Sequence, residues 1–211
     1  VQIKPMLARL QSATGRDDLI EQMVLLPEPK KPFSKETKKA KPVNLIVAYD
    51  ASPNSHTALD IAFWIAHQTR LATNAEVTVQ AVYVLEDNQS NQYSNILSFP
   101  TQQSSLECQI SEVSNSITQV LTQPKLQTVV TPLQQADIIL WQARSLAEEW
   151  QGSFKSHLRF GCISTELHKV VESEAADILF LGCNSVNHPM IEALGSNFPC
   201  AVLGIPSCID E

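Results

Sequence analysis

Asp50 is the residue best placed to meet a ligand. It closes an apolar run, Val43-Asn44-Leu45-Ile46-Val47-Ala48-Tyr49, and is followed by Ser52-Pro53, the signature of a helix start. A carboxylate at a strand end can accept hydrogen bonds from a ligand, or it can brace the turn into the helix. The other chemistry-bearing residues form no recognised constellation. His56, His67, His157, His168 and His188 include no His-Glu-x-x-His pair. Cys108, Cys162, Cys183, Cys200 and Cys208 contain no Cys-x-x-Cys, so a zinc ribbon or a thioredoxin-type dithiol is excluded. Cys183 follows a strand end and His188 lies five residues on, a spacing that admits a thiolate pair. The preferred reading is a buried, inert thiol. No Gly-x-Ser-x-Gly elbow and no Gly-x-Gly-x-x-Gly turn is present. With no base–nucleophile pair evident, neither catalysis nor a metal site is expected. Trp64, Trp141 and Trp150 stand in helical patterns and are expected in the core.

The elements that must position Asp50 alternate in kind. Strands are expected at Asn44–Asp50, Val77–Leu85, Phe154–Phe160, Asp177–Gly182 and Ala201–Ile205. Helices are expected from Pro53 to about Gln68, over Ile138–Trp150 and Ser164–Ala175, and from Pro189 to Leu194 with Gly195 at its end. In Ile138–Trp150, residues Ile139, Leu140, Ala143, Leu146, Ala147 and Trp150 should face inward. Strands alternating with helices make a doubly wound parallel sheet, an α/β fold. Ligands in such sheets bind beyond the carboxyl ends of the strands, where the winding reverses. The expected corner lies between Asp50 and Gly182.

The flanks read differently. Residues 1–42 look like an N-terminal extension. Met6, Leu7, Leu10 and then Leu19, Ile20, Met23, Val24 suggest two short amphipathic helices. A linker with Pro27, Pro29, Pro32 and six lysines between Lys30 and Lys41 follows. The domain proper spans 43–206, interrupted by a polar insert over 87–135 rich in Gln, Ser, Asn and Thr. Within it Ile110, Val113, Ile117, Val120 and Leu121 carry helical spacing. Residues 207–211 form a tail. The whole chain carries a net charge of −7, yet from Pro42 onward six basic residues face seventeen acidic ones, a balance of −11. Such a body repels nucleic acid. No apolar run approaches the ~20 residues of a membrane span, and Val1–Pro5 lacks the apolar core of a secretion signal, so the expected location is the cytoplasm.

Three stretches resemble the universal stress protein family. They are Leu45–Ser55 with Ala58-Leu59; Leu146–Trp150 with Phe160-Gly161 and Ala175–Gly182; and Pro199–Leu203. The resemblance covers Val43–Glu86 and Ala136–Pro206, with Ala51 where the family has glycine. It implies an adenine nucleotide alpha-hydrolase-like sheet with strand order 3-2-1-4-5. It also implies a stress-response regulatory protein, with a homodimer paired through Ala201–Ile205 and other protein partners open. Some members bind ATP and others do not, so ATP or another adenine nucleotide is the cofactor the resemblance allows. By likeness, Asp50, Ala51 and Ser52 would sit by adenine and ribose, and Tyr83 and Val84 would offer backbone to adenine. In the nucleotide-binding members a Gly-x2-Gly-x9-Gly-Ser/Thr loop cradles the phosphates. Gly182 and Cys183 open the matching segment, Ser185 replaces the second glycine, and Gly195-Ser196 ends it. Only Asn197-Phe198-Pro199 then precede Cys200, so either the loop is kept and the family's following helix lost, or the helix is kept and the loop shortened. Pro189 and Gly195 favour a kept helix and a reduced cradle. Glu192 and the lack of Lys or Arg after Ala175 point the same way.

Overall fold

A computed structural model describes residues 3–29, 42–86 and 131–206. The lysine-rich linker, most of the polar insert with its helical spacing, Cys108 and Cys208 lie outside the described residues. The chain begins with α1 (Ile3–Thr14), α2 (Leu19–Met23) and the short strand β1 (Val24–Leu26). It continues as β2 (Val43–Ala48), α3 (Pro53–Thr73), β3 (Val77–Leu85), α4 (Pro132–Glu149) and β4 (Ser153–Phe160). The last elements are α5 (Ile163–Ser173), β5 (Ile178–Phe180), α6 (Pro189–Leu194) and β6 (Ala201–Leu203).

Local chemistry sets the helix ends. Ser52 caps α3, its Oγ accepting from the backbone N–H of Ser55 at 3.2 Å, with Pro53 in the first turn. Thr131 and Gln134 form a reciprocal capping box at the start of α4. His188 caps α6, and Gly195, at φ 76°, ends it.

The six strands lie in the order β1-β6-β5-β2-β3-β4. Strands β2 to β6 pair in parallel, and β1 joins β6 antiparallel. The chain steps outward from β2 to β3 to β4, returns through α5 to β5, and then steps the other way to β6. The winding therefore reverses between β2 and β5, as a doubly wound α/β sheet requires. Alternation along β2 divides the core. Leu45 and Val47 pack with α1, α3 and α4 on one face, through Leu7, Leu59, Phe63, Ile139 and Ala143. Ile46 packs with α5 and α6 on the other, through Leu167, Val170, Val171 and Ile191.

Three expectations are corrected. The N-terminal segment, expected as an appendage, supplies Leu7, Leu10, Leu19 and Met23 to the core and adds an unforeseen strand. The stretch Ala201–Ile205, expected as an open edge through which two copies pair, is not an edge. Its strand β6 lies between β5 and β1. Trp141, expected in the core, is 67% exposed, because the buried stripe of α4 runs through Ala136, Ile139, Ala143 and Ala147 on the other side of the helix.

Candidate functional site

The end of β2 is held by a dense set of short-range bonds. The backbone N–H of Tyr49 donates to the Val82 carbonyl at 2.9 Å, which carries the β2–β3 pairing one residue further. The Tyr49 ring is buried, and its hydroxyl lies 3.1 Å from Nδ1 of His56. Burial, aided by the charges of Asp50 and Asp60, pushes its pKa up to about 12. At Asp50, Oδ1 accepts from the Ser52 backbone N–H at 2.9 Å. Burial works against ionisation of this carboxyl, but hydrogen bonds from the hydroxyl and backbone N–H of Ser52 and from Ser55 outweigh it and hold the pKa below the ordinary value. Between these anchors Ala51 takes φ 64°, a left-handed conformation that costs a residue with a Cβ roughly 1–2 kcal/mol. The alanine therefore occupies a true glycine position.

Gly182 closes β5 against this turn. A Cβ there would lie 2.9 Å from the Asn54 carbonyl carbon and from the Ser55 nitrogen, so a side chain at 182 would drive the strand away from the start of α3. Cys183 follows, nearly buried, and burial pushes its thiol up despite a bond from the Ser185 backbone. A thiolate pair with His188 is disfavoured on two counts. The thiol is stabilised in its neutral form, and the imidazole Nδ1 of His188 already accepts from the Met190 N–H at 3.2 Å.

Between these walls lies a cavity of about 240 Å³. Asp50, Ser52, Tyr83, Val84, Gly182 and Cys183 line it, six of the residues the sequence pointed to. Tyr83 is half-buried, and burial together with the Asp50 charge raises its phenol pKa. Ala51, Ser185, Gly195 and Ser196 do not line the cavity. Ser185 is exposed and its Oγ accepts from the Asn187 N–H at 3.2 Å, while Gly195 and Ser196 sit past the far end of α6. The segment after β5 carries a helix, α6, between the two ends of the expected loop. Sequence reasoning missed His188 and Met190 from the start of α6, and Ile163 and Leu167 from α5, which complete the walls. The Pro189 helix start was the available signal for the first pair. For the second it was the stripe of α5.

Among the described residues the lining holds one carboxylate and no lysine or arginine. Its polar atoms are mostly engaged, Ser52 as helix cap and Ser55 in a bond to the Ser52 carbonyl at 3.0 Å. The arrangement can accept hydrogen bonds from a small, largely apolar ligand at Asp50. Among the described residues no group of three or more His, Cys, Asp or Glu could hold a metal ion. Among the same residues no helix is long and apolar enough to cross a membrane.

The chain is similar to several solved structures. A structure from the universal stress protein family of Burkholderia pseudomallei is 17% identical, aligns over 78% of this chain and 96% of its own, and gives a TM-score of 0.46. A universal stress protein family protein from Arabidopsis thaliana with AMP bound is 11% identical, over 76% of this chain and 89% of its own, at a TM-score of 0.46. The universal stress protein from Archaeoglobus fulgidus in complex with dAMP is 12% identical, over 78% and 99%, at 0.44. No curated protein matches the chain. The sequence profile of the Universal stress protein family matches residues 43–198, most of the chain, and the protein belongs to that family.

Proposed function

We propose that this chain is a non-catalytic regulatory protein that senses a small adenine-bearing ligand at the corner between β2 and β5, and that its hold on phosphate groups is reduced. The observation that carries this reading is the cavity lining: among the described residues Asp50 is its one carboxylate, and no lysine or arginine stands against it. A polyphosphate needs backbone N–H groups, lysine, arginine or a metal to offset its charge. Here the residues matching a phosphate cradle, Ser185, Gly195 and Ser196, stand outside the cavity. Size points the same way. Drug-sized ligands occupy pockets of about 300–1,000 Å³, and this one is about 240 Å³. Asp50 would accept from ribose hydroxyls, and the side chains of Val84, Leu167 and Met190 would flank the base.

Thermal shift and calorimetry with adenosine, AMP and ATP, each with and without Mg2+, test the reading. Adenosine should raise the melting temperature most and ATP least. A ligand at a hundredfold excess over Kd adds about 2.7 kcal/mol of stability. Asp50→Asn keeps an acceptor for the Ser52 N–H but removes the charge, and it should raise the affinity for AMP relative to adenosine. Silence toward all three ligands would end the sensor reading. A preference for ATP, or steady nucleotide turnover lost in Asp50→Asn, would replace it with a different one.

A further inference from the structure

Helix α4 carries an apolar face that no other described residue covers. Leu133, Ile138 and Trp141 are 54%, 52% and 67% exposed. Asp137, Leu140, Trp141 and Arg144 line one groove with Ser156, in the seam between α4 and β4, the open edge of the sheet. Among the described residues neither Asp137 nor Arg144 has an ion-pair partner. Exposed tryptophan beside unpaired opposite charges is the composition of an interaction surface.

The spacing of the charges says what fits it. Asp137, Trp141 and Arg144 recur every three to four residues and share one helix face. Set a second copy of α4 antiparallel, with the two-fold axis between Leu140 and Trp141. Asp137 of each copy then meets Arg144 of the other, and the two Trp141 rings come together at the centre. A two-fold contact demands this self-complementarity, with residue i meeting j and j meeting i. The balance of −11 from Pro42 onward makes random encounters between copies repulsive, so a locally neutral face is where two can meet. We infer that two copies of the chain associate through this α4 face, not through β6, whose edge β1 occupies.

Sedimentation velocity of the full chain, from micromolar to millimolar concentration, is the test. The expected result is a reversible monomer–dimer equilibrium. Asp137→Arg alone sets two guanidinium groups against each other at both contacts, and Arg144→Asp alone does the same with carboxylates. Each should weaken association by about tenfold or more. The two substitutions together restore the pairs and should return the dimer to within about threefold of the starting affinity. Trp141→Ser should weaken it without charge repulsion. All these side chains are exposed, and circular dichroism checks that each variant is folded. A monomer at every concentration would overturn the inference, including one in which residues 87–130 of the same chain cover α4. So would a dimer indifferent to both single substitutions, or a double variant that fails to recover.

Discussion

The two edges of the sheet are built on opposite principles. At one edge β6 has all three residues buried and β1 hides Leu25, so the strand pair is sealed by apolar side chains. The pairing continues past the strands, where the Gly204 N–H donates to the Met23 carbonyl at 2.8 Å. At the other edge β4 has no buried residue in eight. It carries Lys155, His157 and Arg159, with Lys155 and Arg159 pairing to Glu174 and Glu166. An unpaired strand edge is a template for further strands, and there are two remedies: cover it or charge it. This molecule uses one on each side. The lesson is that an N-terminal extension can be part of the sheet's architecture and not a passenger.

If the closed edge is structural, its residues should cost much more to truncate than those of the open edge. Met23 is fully buried, and Met23→Ala should lower stability by about 2–5 kcal/mol in urea denaturation. A cost below about 1 kcal/mol would show that α1, α2 and β1 contribute little to the folded state. Gly204→Ala sharpens the point. The added Cβ would meet the Cys183 carbonyl oxygen at 2.2 Å and Leu25 Cδ1 at 2.8 Å. Backbone on one side and a core side chain on the other leave no easy escape, so a loss of about 1–3 kcal/mol is expected from the same measurement. The open edge gives the smallest effect. Lys155→Ala removes an ion pair whose lysine is 56% exposed, and stability should change by less than about 1 kcal/mol. A larger loss there would mean that the charges of β4 hold the fold together instead of keeping its edge soluble.

Much of the central fold was legible because its signals are local. The apolar run Val43–Tyr49 could only be a doubly buried strand, and Ser52-Pro53 marked the helix that follows. Pro189 and Gly195 marked the two ends of the short helix before the last strand. What was not legible depends on distant partners. Val24-Leu25-Leu26 continue the helical spacing of Leu19 and Met23, and only pairing with β6 makes them a strand. Trp141 was expected in the core because it stands in a helical pattern, while its place on α4, off the Ala136–Ala147 stripe, already argued for exposure. The site was half legible. Asp50 and Gly182 stand at strand ends that topology brings together; Pro189 marked the start of α6, but only packing sets that start, with His188 and Met190, over the cavity.

The antiparallel contact of β1 with β6 also has a consequence for the order of assembly. Val24 leaves the ribosome well before Leu203, its partner in the sheet. Until β6 has been made, β1 has no sheet edge to join. Contacts so far apart in sequence form late and slow the search for the native state. Strand β1 must therefore wait, unpaired, for β6 to arrive, and it is in that interval that chaperones would find this chain.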